Sequence, residues 1–190
     1  VDKEICVGCD TGKFFRVDLG VCTDCPEGWY QHEKGKEECK TCGAGTYYGD
    51  KVSDCQDCAP GQFKEKPNPD SLDELKAASC EDCPSGMYTD LYGQGSCTDC
   101  AAGKYGDETG SSDPHSNCKR CPKGWIARNA GLNSCEECQV GQYREEMGKT
   151  SCKNCPKGKY LDEMGAQALD NCTACPQGFY QENTGRLDCE

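Results

Sequence analysis

A chain of 190 residues with only 20 Leu, Ile, Val and Phe side chains and a net charge of −12 has too little apolar surface for a conventional core. No run is apolar enough to cross a bilayer, and 33 acidic against 21 basic residues argue against nucleic acid and anionic membranes as partners. The 21 cysteines, about one residue in nine, mark instead a disulfide scaffold that persists only in an oxidising compartment.

The opening Val1-Asp2-Lys3-Glu4 is polar and acidic, so the sequence reads as a mature or excised segment without a leader peptide. From Cys6 onward the chain is periodic. Cys-x-x-Cys pairs stand at 6/9, 22/25, 39/42, 55/58, 80/83, 97/100, 118/121, 135/138, 152/155 and 172/175, and Cys189 opens another. Each second cysteine starts the phrase Cys-x-x-Gly-x-aromatic, with glycine at 12, 28, 45, 61, 86, 103, 124, 141, 158 and 178. The aromatics are Phe14, Tyr30, Tyr47, Phe63, Tyr88, Tyr105, Tyr143, Tyr160 and Tyr180; the exception is Ile126, with Trp125 beside it. Regular recurrence of this kind points to packing rather than to sugar binding.

Five repeats have 13 residues between the second cysteine and the next pair, and carry glycine four positions before the closing cysteine: Gly35, Gly93, Gly131, Gly148 and Gly185. Glycine fixed in a loop predicts positive φ, here at a hairpin turn. Each repeat is then a two-stranded hairpin, with the aromatic on the first strand and a cysteine closing the second. The longer repeats extend their tips. Ser71 and Glu74 have capping-box spacing and Leu72 and Leu75 share a face, which predicts a short helix there. The polar stretch Gly110 to Pro114 predicts a loop. Leu161 to Leu169 predicts a helical turn. The fold class expected is a set of small disulfide-rich repeats: an elongated rod of about ten short β-hairpins, mostly loop, with neighbour-to-neighbour contacts.

Periodicity leaves two disulfide schemes open. In one, each repeat closes its own loop: Cys9–Cys22, Cys25–Cys39, Cys42–Cys55, Cys58–Cys80, Cys83–Cys97, Cys100–Cys118, Cys121–Cys135, Cys138–Cys152, Cys155–Cys172 and Cys175–Cys189. The repeats are then 9–22, 25–39, 42–55, 58–80, 83–97, 100–118, 121–135, 138–152, 155–172 and 175–189 of one tandem array within a longer one. Cys6 is left without a partner in the segment. The other scheme crosses pairs, as Cys6–Cys22 with Cys9–Cys25, and strands Cys189. Structural equivalence of the repeats favours the first.

The phrases Cys25-Pro26-Glu27-Gly28-Trp29-Tyr30, Cys83-Pro84-Ser85-Gly86-Met87-Tyr88 and Cys175-Pro176-Gln177-Gly178-Phe179-Tyr180 resemble the ephrin-receptor-like cysteine-rich repeat. They are also similar to the first half of a tumour-necrosis-factor-receptor module. The resemblance spans Cys6 to Cys189, although proline follows the second cysteine only at 26, 84, 122, 156 and 176. It implies an extracellular or cell-surface location and the within-loop disulfides, and it supplies no ligand.

Other chemistry finds less support. Zinc is the competitor for Cys-x-x-Cys, but proline after the second cysteine removes an N–H that would support a thiolate. No cofactor is expected beyond a loosely bound calcium ion at Asp107, Glu108 and Asp113. His32 and His115 are the only histidines and no catalytic motif accompanies them, so no enzyme is expected. Asn171-Cys172-Thr173 has the form of a glycosylation acceptor, and Asn133-Ser134-Cys135 that of a rarer one. The function expected is an extracellular scaffold, a rod or filament with protein partners that include copies of itself. The alternative is a ligand-binding receptor ectodomain using the tips 64–79 and 106–117; a zinc-binding protein comes third.

Overall fold

The computed structural model describes residues 8–26, 29–49, 54–66 and 79–190. Nine antiparallel two-stranded hairpins make up nearly all of its regular structure. They fall into two compact bodies, one formed by the chain up to Cys83 with Thr89–Cys97, the other by Pro84–Tyr88 with Thr98–Glu190.

A hairpin starts from its turn. In Cys-x-x-Gly-x, the N–H after the glycine bonds back to the carbonyl of the residue after the cysteine, as in Trp125 N–H to Pro122 O at 3.1 Å. Gly124 is then the third residue of a type II turn, and its φ of 81° is the conformation that favours glycine there. The chain leaves the turn as a short strand carrying the aromatic position, such as Trp125–Ile126, and pairs with Glu136–Glu137.

The second strand differs in place from the sequence reading. In eight hairpins it begins just after the closing cysteine, so the two residues inside Cys-x-x-Cys are themselves the strand. Only Val21–Asp24, in the first hairpin, runs through its cysteine. The inter-pair segment is therefore no linker. It folds back on its own repeat, and the next opening cysteine extends the ladder, as in Cys138 N–H to Gly124 O at 2.8 Å.

Repeats join through a second set of backbone bonds. In the first body, the turn glycines Gly12, Gly45 and Gly61 donate N–H to the carbonyls of Gln31, Lys64 and Thr89 at 2.7 Å. In the second body Gly86, Gly103, Gly124, Gly141 and Gly158 do the same to Gly106, Ala127, Arg144, Leu161 and Gln181 at 2.7–2.9 Å. The acceptor is always the residue after the aromatic position of the following repeat.

The tip glycines have positive φ, but they serve the neighbouring repeat rather than only a turn. Gly93 N–H reaches Cys58 O in the first body; Gly131, Gly148, Gly165 and Gly185 reach Cys100, Cys121, Cys138 and Cys155 in the second, all at 2.8–2.9 Å. Contacts also skip a repeat. A Cβ on Gly124 would lie 2.0 Å from the carbonyl oxygen of Gly165, two repeats on.

The interior is mostly cystine and backbone. Opening cysteines from Cys9 to Cys155 are buried, whereas Cys22 is exposed and Cys39, Cys55, Cys80, Cys97, Cys135, Cys152 and Cys189 are half-buried. Ile126, the non-aromatic exception, is fully buried. Of the nine aromatics only Tyr143 is buried, in a cluster with Leu161, Ala166, Cys155 and Cys172, so aromatic stacking contributes less than the regular recurrence implied.

Two tips differ from expectation. The 106–117 tip contains a short helix, Pro114–Asn117, because Asp113 accepts the His115 N–H at 2.8 Å and Pro114 suits a first turn. In the repeat closed by Cys172 the helical turn is a 3-10 segment, Leu169–Asn171, and does not start at Leu161. The helix expected around Ser71 and Glu74 lies outside the described residues, as do Cys6 and Gly28.

Buried glutamines brace two tips identically. Gln31 donates to Glu38 O at 2.7 Å and accepts from Glu33 N–H at 3.0 Å; Gln181 does the same with Asp188 and Asn183, both at 2.9 Å. Gln31→Ala removes the partner of a part-buried carbonyl and N–H and is expected to cost about 1 kcal/mol. Thermal unfolding with intact disulfides, together with faster exchange of the Glu33 amide, checks it. An unchanged Glu33 amide would show that the brace is idle.

Candidate functional site

The recurring element on which the array depends is the cystine. All twenty described cysteines form ten bridges: Cys9–Cys22, Cys25–Cys39, Cys42–Cys55, Cys58–Cys80, Cys83–Cys97, Cys100–Cys118, Cys121–Cys135, Cys138–Cys152, Cys155–Cys172 and Cys175–Cys189. Their Cα–Cα separations run from 5.3 to 5.9 Å, within the usual range for the bond. Sequence separations run from 13 to 22, so tip length varies while bridge geometry does not.

One member of the frame escaped the sequence reading. Gly165 lies seven residues before Cys172, yet it makes the same bond as the tip glycines of the shorter repeats. Counted from the opening cysteine, Gly35, Gly93, Gly110, Gly131, Gly148, Gly165 and Gly185 all stand ten positions on, and all have positive φ. The extra residues of that repeat come after the glycine. Counting forward from the opening cysteine reveals the rule; counting back from the closing one hides it.

Two of the acidic residues considered for calcium, Asp107 and Asp113, are engaged elsewhere. Lys119 Nζ bonds both carboxylate oxygens of Asp107 at 2.7 and 3.0 Å, which holds Asp107 below the usual carboxylate range and raises Lys119. Asp113 caps the short helix, and its bond from the His115 N–H holds it low. Among the described residues no three His, Cys, Asp or Glu gather as metal ligands. His32 stacks on Tyr30 at 5.8 Å between ring centres and places Nδ1 2.9 Å from Asp54. His115 lies exposed in the Pro114–Asn117 helix.

Asn171 is exposed at the end of the 3-10 turn, its Oδ1 accepting the Ala168 N–H at 2.9 Å. The neighbouring Cys172 is buried and bridged to Cys155. In the 106–117 tip, the fully buried Asn117 donates to Met87 O at 3.1 Å and fills the space beside Gly106, where a Cβ would lie 2.9 Å from its Nδ2. A crevice of about 240 Å3 is lined by Tyr105, Pro122, Trp125, Ser134 and Cys135.

The family model described as tyrosine-protein kinase ephrin type A/B receptor-like matches residues 12–47, 71–117 and 124–172, more than two thirds of the chain. The chain belongs to the ephrin-receptor-like family. No curated protein matches it. Each matched segment of this ephrin-receptor-like array spans all or part of three hairpins and three cystines, so the match follows the frame and not a single pocket. Ephrin-receptor-like repeats with this many bridges point to an extracellular or secreted location and to protein interactions. Among the described residues, no helix is long and apolar enough to cross a membrane.

Proposed function

We propose that the chain is an extracellular scaffold that spaces and joins proteins at a cell surface, with other copies of itself among its partners. The observation that carries this reading is the contrast between frame and tips. The same turn-glycine and cystine bonds recur in repeat after repeat, while bridged loops lengthen from 13 to 22 positions without disturbing them. Such a frame holds variable tips at fixed intervals, which suits binding rather than catalysis. Electron microscopy of native material tests it. Regular assemblies are the expected result; separate flexible monomers without contacts between copies would overturn it.

The family match favours a second reading, a ligand-binding receptor ectodomain. Its contact loops would be the tips 64–79, most of which lies outside the described residues, and 106–117, the latter stiffened by Asp113 and anchored by Asn117. A soluble ligand captured by the whole segment, and lost when residues 107–113 are replaced by a short Gly-Ser turn, would favour this reading over the scaffold.

Asn171 is expected to carry a glycan, because its amide is exposed on the surface. Glycosidase release in heavy-oxygen water followed by peptide mass mapping checks this. An unlabelled Asn171 peptide from secreted material refutes it.

A further inference from the structure

The rarer acceptor form Asn133-Ser134-Cys135 borders the crevice of about 240 Å3, and Ser134 and Cys135 are part of its wall. Asn133 is exposed on the run that returns from the tip to the closing cysteine. The Ser134 hydroxyl donates to Asn133 Oδ1 at 3.4 Å, which holds the carboxamide beside that wall. Asn133 Nδ2, the atom a glycan would occupy, has no hydrogen-bond partner among the described residues.

The rest of the wall is Tyr105, Pro122 and Trp125. Side chains alternate along a strand, so with Ile126 fully buried in the frame, Trp125 beside it turns to the other face. Its ring is half-buried, and its Nε1–H has no hydrogen-bond partner among the described residues. The crevice is smaller than the pockets that enclose free drug-sized ligands. A single ring tethered at its rim is held there at high effective concentration and needs no larger recess.

We infer that Asn133 carries an N-linked glycan whose first sugar lies in this crevice against the Trp125 indole. In the transfer, Nδ2 bonds to the anomeric carbon of a lipid-linked oligosaccharide diphosphate. The bond from that carbon to the diphosphate oxygen breaks, the lipid diphosphate leaves with the bonding pair, and Nδ2 gives up one proton to a base of the transferase. The Cys135 thiol takes the place of the acceptor hydroxyl, so transfer precedes closure of Cys121–Cys135. The sugar's C–H face then covers the indole and shields it from water. This requires passage through the secretory route and is independent of whether the array acts as scaffold or receptor.

Trp29→Phe leaves Trp125 as the sole tryptophan and makes its emission a reporter. The whole segment is secreted with this change from a glycosylating eukaryotic host. Glycosidase release in heavy-oxygen water should label the Asn133 peptide. Asn133→Gln should open Trp125 to acrylamide quenching and lower the melting temperature by about 2–4 °C. Asn171→Gln, in another repeat, should leave the quenching unchanged. In a Trp125→Ala background, Asn133→Gln should no longer shift the melting temperature. An unlabelled Asn133 peptide overturns the inference. So does quenching that Asn133→Gln leaves unchanged or that Asn171→Gln raises equally, and so does a melting shift that persists in full without Trp125.

Discussion

Replacing Gly124 by alanine is expected to disrupt the second body, whereas the chemically identical change at Gly158 is expected to be mild. Both glycines sit in the same turn, with φ of 81° and 75°. Both therefore incur the backbone cost of a left-handed alanine, about 1–2 kcal/mol. They differ in what lies above them. A Cβ at Gly124 meets Gly165 O at 2.0 Å and Gly165 C at 2.7 Å, while at Gly158 nothing lies within 4 Å. The obstructing carbonyl is poorly able to yield. Gly165 N–H is bonded to Cys138 O at 2.8 Å, and Arg144 N–H to Ala166 O at 2.9 Å, so both sides of that peptide are tied to the preceding repeat. Gly124→Ala should cost about 4 kcal/mol or more, in the range reserved for severe core disruption. Gly158→Ala should cost about 1–2 kcal/mol. Unfolding under non-reducing conditions measures the difference, and hydrogen exchange at the Arg144 and Gly165 amides locates it. Equal losses in the two variants would mean that repeats two apart do not touch in solution.

Breaking the cystines should have the other large effect. Removing Cys138–Cys152 as a double alanine variant is expected to cost about 3 kcal/mol from the freed loop alone. The fully buried Cys138 adds a packing loss. Exchange protection should fall in that repeat and its neighbours, because Cys138 O accepts the Gly165 N–H and Cys138 N–H donates to Gly124 O. Reducing every bridge should abolish the fold, since too few apolar side chains remain to oppose chain entropy. Circular dichroism and limited proteolysis before and after reduction are sufficient measurements. Peptide mapping of unreduced material should return the ten loop-closing bridges, and denaturing titration at most one free thiol. Retained protease resistance after complete reduction would falsify the account, as would chelator-induced unfolding of the unreduced protein.

Much of the frame could be read along the chain. The spacing of Cys-x-x-Gly-x-aromatic is local information, and local chemistry sets it. A type II turn needs glycine at its third residue, and a short strand follows. The helix at Pro114–Asn117 was hidden in a stretch rich in Gly, Ser and Pro, because its stability comes from the Asp113 cap and the placement of Asn117 against Met87. The facing of Lys104 and Arg120 was hidden for a related reason: they are 16 positions apart, and only strand register makes them opposite one another.

By itself the sequence determined the repeat, the hairpin, the turn glycine and a covalent substitute for an apolar core, because each depends on residues within one loop. Two disulfide schemes remained open in it, since evenly spaced cysteines look alike until their surroundings are known. Only the tertiary structure decided that the opening cysteines from Cys9 to Cys155 are buried while most closing ones are not, that the residues inside Cys-x-x-Cys form the returning strand, and that Gly124 must leave room for a carbonyl two repeats away. Those features arise where backbones from different repeats approach within hydrogen-bonding distance, and backbone groups carry no side-chain signature to announce it.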